Sequence, residues 1–217
     1  MNQFNWLAYD QFLFDFYLRA ELEGRAGGNP SWNTSVDYNR QLRKSAFYPE
    51  VAALYAAAGL NLNADLYSLQ VAPRISAEPA AVNYLSANII YTGQIGIPVL
   101  TLQTTGDGLV VPENDQAYKS TVHHAGNDAF LKETFVHRAG HCTFTPAETI
   151  VAFQALNNRL NTGKWQALGP ASLNKAAAAL GPNYNYLYLN GNPVNTPPAF
   201  ETFKDPVFLR PYDVFSH

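Results

Sequence analysis

Cysteine is nearly absent from this sequence. Cys142 is the only one in 217 residues, so no internal disulfide can form and no Cys-rich zinc centre can be assembled. Charge is scarce as well: 14% of residues are Asp, Glu, Lys or Arg, and the net charge of −3 comes without any Lys/Arg block. The positive field that nucleic acid or an anionic lipid surface requires is missing, which excludes both as partners. No apolar run approaches the roughly 20 residues that a membrane helix needs, so no membrane span is expected. The first residues also lack the basic-then-apolar order of a secretory signal.

What is present is an apolar, turn-rich chain. Hydrophobic residues make up 47% of it, and its length suits one large domain or a domain with a cap. Fourteen glycines and fourteen prolines predict many turns and argue against an all-helical bundle. Residues 3–23, "QFNWLAYDQFLFDFYLRAELE", carry aromatic and aliphatic side chains on most sides and predict one or two helices ending at Gly24. After the loop "AGGNPSWNTSVDY", Pro49 opens a predicted helix with Val51, Leu54, Tyr55 and Ala58 on one face, ended by Gly59. Another helix is expected over 77–86, and nothing before residue 89 reads as a strand.

The pattern then changes. "IGIPVLTLQT", residues 95–104, predicts a strand buried on both faces. A helix follows near 113–125, and Thr134, Phe135 and Val136 form a second short strand that breaks at Ala139 and Gly140. Two strands with a helix between them suit a parallel pair, so the fold class is α/β. Thr145, Pro146 and Glu148 predict a capping box, opening a helix with Ile150, Phe153, Leu156 and Leu160 as its buried stripe and Gly163 as its end. An alanine-rich helix, a small hairpin in "NYNYLYLNGN", and a tail pinned by Phe200, Phe203, Phe208 and Tyr212 complete the chain.

Asp107 and His141 share a context: each follows a predicted parallel strand and precedes a helix, which places both at the carboxyl edge of the sheet. An aspartate between Gly106 and Gly108 also suits a turn. An acid there can accept the imidazole Nδ1 proton, leaving Nε2 to act as a base.

"PVLTLQTTGDGLV" followed by "FVHRAGHCTFTPAE" resembles the acid loop and histidine loop of an α/β-hydrolase of the bacterial serine esterase type, and "GNPSWNTSVDY" resembles a cap inserted ahead of the acid strand. The resemblance covers roughly residues 10–165, and "FLRPYD" fits members with a long tail. It implies a partial α/β-hydrolase fold: a helical cap region over 1–90, the carboxyl part of the core over 91–165, and a C-terminal extension packed on the body over 166–217. It further implies a carboxylester hydrolase of Ser-His-Asp type in which Asp107 is the acid and His141 the general base. The substrate would be a small-molecule, lipid or polymer ester, with amide cleavage by the same relay also open.

The family's nucleophile motif, G-x-S-x-G, occurs nowhere in the sequence. Ser31, Ser35 and Ser86 precede Asp107, but none stands in a glycine-flanked strand-to-helix turn. The chain is therefore expected to pair with a complementary amino-terminal half or with copies of itself, and to be inactive alone. The alternative is a catalytically silent, self-associating module. Secretion is compatible with this kind of enzyme, with any signal lying ahead of Met1.

His137 and His141 stand four apart and His123 and His124 are adjacent, but Gly140 and the strand-like "TFVH" argue against a shared metal. Cys142 reads as a small buried thiol rather than a nucleophile. "AGGNPSW" lacks the Lys-Ser/Thr of a phosphate cradle, so neither metal nor cofactor is expected.

Overall fold

The computed structural model describes residues 16–189 and 191–209; the aromatic run before residue 16, and Tyr212, lie outside the described residues. Among those described, residues 16–90 form one compact unit and residues 91–207 another.

The first unit is helical: α1 Arg19–Ala26, α2 Tyr38–Lys44, α3 Tyr48–Ala57, α4 Leu62–Val71 and α5 Pro79–Asn88. The α1 helix passes through Gly24, where an end was expected, and stops at Gly27, which takes the left-handed conformation at φ 77°. One i,i+4 ion pair, Glu21–Arg25, spans the glycine and offsets its poor helix propensity, and a second, Arg19–Glu23, supports the turn before it. Both α2 and α4 lie where no helix was expected. Each opens on a side-chain cap, Asp37 accepting from Arg40 N and Asn61 from Ala64 N.

The second unit is α/β. In chain order it contains β1 Val99–Gly106, α6 Glu113–His124, β2 Leu131–Ala139, α7 Pro146–Thr162, α8 Pro170–Ala179, β3 Tyr186–Leu189, β4 Asn192–Asn195 and β5 Phe200–Glu201. The first two strands pair in parallel from Val99↔Leu131 to Thr104↔Val136. On the other side of β2 lies β5, antiparallel, giving the order β1-β2-β5. The β1 strand is half-buried along most of its length rather than buried on both faces, with Thr104 its one fully buried position. The reason is its place at the rim: among the described residues it pairs with β2 alone. The tyrosine-rich segment forms the antiparallel hairpin β3–β4, and Phe203 packs its ring on Phe135 at 5.2 Å between centroids.

The core lies between β2 and helices α7 and α8. Val136, Ala147, Val151, Leu173, Ala177 and Phe200 fill it, with Leu102, Phe144 and Leu180 packed at its margin. Burying a side chain of the size of Val136 or Phe200 stabilises the fold by about 1.5–3 kcal/mol.

The capping box of α7 is complete: Thr145 Oγ1 accepts from Glu148 N, and Glu148 Oε2 accepts from Thr145 N at 2.8 Å. Its inner face, however, is not the expected stripe. Ala147, Glu148, Val151 and Ala152 turn inward, while Phe153 and Leu160 are 71% and 61% exposed. Small residues let the helix approach the sheet closely, and Glu148 must face inward to meet Arg138, so this ion pair sets the phase of the helix. No helix among the described residues is long and apolar enough to cross a membrane.

Candidate functional site

The site is built on the carboxyl ends of β1 and β2. At that end the pairing slips: Thr104 faces Val136 but Gly106 faces Ala139, two residues on β1 against three on β2. A side chain at position 106 would stand 3.1 Å from Ala139 Cα and 3.2 Å from the Arg138 carbonyl. Glycine is what lets the strands close here, and the closure draws together the two loops that follow.

Asp107 sits in the first loop with its side chain 2% exposed. Its two carboxylate oxygens divide the work. Oδ1 accepts from the backbone N–H groups of Leu109 and Val110 at 2.9 and 3.0 Å, an Asx turn. Oδ2 accepts from His141 Nδ1 at 2.8 Å, with Gln103 Nε2 at 3.4 Å beside it. The turn reading and the pairing reading of this aspartate therefore both hold, one on each oxygen. A carboxylate oxygen accepts, so the imidazole donates to it from Nδ1.

His141 follows β2 in the loop 140–144 and is 34% exposed at its side chain. The loop is held to the neighbouring strand by Thr104 Oγ1 donating to the Gly140 carbonyl at 2.7 Å and by Gly140 N donating to the Gly106 carbonyl at 3.0 Å. Cys142 beside it is exposed, not buried as expected, and its backbone is left-handed at φ 53°.

The other described histidines face other partners. His137 Nδ1 bonds Glu201 at 3.1 Å, His123 Nδ1 bonds Asp128 at 2.9 Å, and His124 Nδ1 bonds the Ser120 carbonyl at 2.7 Å. His137 and His141 thus serve different carboxylates. Among the described residues no group of three or more His, Cys, Asp or Glu side chains is placed to hold a metal ion. Ser31 accepts from Arg19 in the helical unit, Ser35 takes a left-handed φ of 63°, and Ser86 lies within α5. A cavity of about 380 Å³ between β2, β5 and α8, lined by Glu133, Phe135, Leu173 and Phe203, does not include Asp107 or His141.

Three residues that support the loop were not singled out from sequence: Thr104, Arg138 and, beyond its capping role, Glu148. Only Glu148 carried a local signal. The contacts of Thr104 and Arg138 depend on strand register and loop closure, which leave no short-range pattern.

A second polar cluster lies on α6 and β2. Lys119 Nζ bonds Glu133 at 2.6 Å and Asp205 at 3.3 Å, and Glu133 Oε1 is buried with no hydrogen-bond partner among the described residues. Burial, together with the charges of Glu133 and Asp205, pushes Asp115 up to about 6. The folded form thus holds this proton more tightly than the unfolded form. Stability contributed by protonation is full below the ordinary carboxylate range and is lost as pH rises to about 6. Asp115→Asn should therefore stabilise the protein by roughly 1 kcal/mol at neutral pH, a figure reduced for the partial exposure of the group, and do nothing at pH 4. Urea unfolding at both pH values measures this; an equal effect at both would refute it.

The chain is 34% identical over 181 residues to the o-phthalyl amidase of Xanthobacter agilis. The likeness covers 80% of this chain and 40% of the amidase, so the chain spans about two fifths of the length of the curated relative it matches. No family model matches the chain, and no solved structure matches it.

Proposed function

We propose that this chain supplies the acid and the base of a serine-type acyl hydrolase of the α/β-hydrolase superfamily, with the attacking serine lying outside these 217 residues. The observation that carries the reading is the pair itself: a dry carboxylate, 2% exposed, bonded at 2.8 Å to an imidazole that is 34% exposed. On this reading residues 1–90 are a cap region, 91–165 the carboxyl part of the catalytic core and 166–217 an extension.

The chemistry follows from the tautomer. Nε2 of His141 takes the serine proton as Oγ forms its bond to the substrate carbonyl carbon, and the imidazolium so formed is stabilised by Asp107. The same proton then passes to the leaving nitrogen or oxygen as the scissile bond breaks, and a water molecule repeats the sequence on the acyl-enzyme. The serine and its oxyanion donors would arrive on further parallel strands, and the outer edge of β1 is where such a strand can add, since among the described residues only β2 pairs with it. The length of the amidase relative is consistent with a missing segment of this kind.

The relative's name makes an o-phthalyl amide the first substrate to try, with p-nitrophenyl acetate as the ester comparison. Intact-mass analysis of the purified protein, combined with a serine-directed fluorophosphonate, tests the proposal. Turnover together with label on a serine outside these 217 residues is the expected result. A single unlabelled species that turns over neither substrate would favour the catalytically silent module instead.

A further inference from the structure

We infer that Arg138 and Glu148, joined to the segment Pro197–Ala199, are positioning residues for His141, forming a clamp that holds the 140–144 loop against Asp107. The inference rests on the reading of Asp107 and His141 given above. The loop needs such support, since Gly140 stands at φ 98° and Cys142 at φ 53°. A left-handed backbone at a residue with a side chain is costly and persists only where its surroundings fix it.

From the Asp107 side, β1 fixes one end of the loop through Thr104 and Gly106. At the other end Thr143 Oγ1 donates to the Ala139 and Gly140 carbonyls, and the guanidinium of Arg138 ties the loop to α7. Arg138 Nη1 donates to the Thr143 carbonyl at 2.8 Å and to Glu148 Oε2 at 2.6 Å, while Nη2 donates to Glu148 Oε1 at 3.1 Å. Arg138 lies two residues before the loop and Glu148 lies four after it, so the pair ties both flanks together. A planar fork on a carboxylate fixes direction as well as distance.

The pair is buried, with Glu148 0% and Arg138 12% exposed at their side chains. Glu148 takes four donors in all: two from Arg138, Thr145 N at 2.8 Å and Ala199 N at 2.9 Å. The last of these brings the C-terminal extension into the clamp. Two more bonds secure it there, Arg138 Nη2 to the Pro197 carbonyl at 3.3 Å and His137 N to the Ala199 carbonyl at 2.8 Å. The extension thus acts on His141 through a carboxylate that serves the loop and the tail at once.

The Nδ1–H proton of His141 reports this directly and needs no substrate. Proton NMR of the protein in water should show an exchange-protected low-field signal that is lost in His141→Gln. Glu148→Gln and Ala199→Pro should each erase that signal or speed its exchange about tenfold, as local opening of the loop would. Amide signals outside residues 137–148 and 184–200 should stay in place. Arg138→Lys, which keeps the charge and loses the fork, should lose protection likewise. Ala199→Pro removes one donor and leaves the ion pair intact, so it carries the test if Glu148→Gln does not fold. An unchanged signal and exchange rate in the folded variants would overturn the clamp. Asp107→Asn separates the two ideas: a signal that survives it refutes the Asp–His pairing itself, whereas a signal lost there but intact in the clamp variants refutes the clamp alone.

Discussion

On the acid–base reading proposed above, replacing Asp107 by asparagine should lower turnover by about 10⁴ while costing the fold little. The division of labour between its oxygens is the reason. An asparagine keeps Oδ1, so the bonds from Leu109 N and Val110 N survive and the turn stays closed. In place of Oδ2 it presents an amide N–H to His141 Nδ1. That donor favours the tautomer with the proton on Nε2, where the ring can no longer accept a proton from serine. Stability should fall by no more than about 1–2 kcal/mol, the cost of one exchanged buried hydrogen bond. Asp107→Ala is the informative companion, because it removes both functions and should lose turn stability as well as turnover. Steady-state kcat/KM on the assembled enzyme, beside urea unfolding, reads both. Unchanged turnover in Asp107→Asn would discard the assignment of this residue.

The second large effect is on stability. Glu148→Ala should destabilise the α/β unit by about 3–5 kcal/mol, the range for removing one partner of a buried ion pair. The loss has three parts in this case. Arg138 is left as an uncompensated charge with a side chain only 12% exposed, and the N–H groups of Thr145 and Ala199 lose their acceptor. Together with Arg138→Ala it forms a double-mutant cycle that isolates the pair from the capping bonds. If Glu148→Ala cost under about 1 kcal/mol in urea unfolding, the network would be relaxed in solution and its role at the loop would fall with it.

Much of the fold was legible because its signals are local. The turn at Gly163, the proline and capping box before α7 and the β-branched run ahead of Asp107 each span a handful of residues. The two strands and the helix between them followed from the same reasoning. Where local propensity was the whole argument it also misled. Gly24 did not end α1, because the Glu21–Arg25 ion pair carries the helix across it. Phe153 and Leu160 looked like a buried stripe by spacing alone, yet the helix presents Ala147, Glu148 and Val151 inward. Hydrophobic periodicity finds a helix but cannot choose between two apolar faces when a buried ion pair fixes its rotation. The β5 strand, two residues after a pair of prolines, had no pattern long enough to be seen.

By itself the sequence determined the α/β class, the order of the elements around residues 99–163 and the two side chains, Asp107 and His141, best placed to meet at a strand edge. Only the tertiary structure decided that they do meet, that Asp107 closes a turn with one oxygen while holding the imidazole with the other, and that the tail reaches Glu148. Secondary structure is dictated by neighbours within a few positions along the chain. A bond between residues 34 or 51 positions apart depends on how the strands register and the loops close, and those are properties of the packed molecule alone.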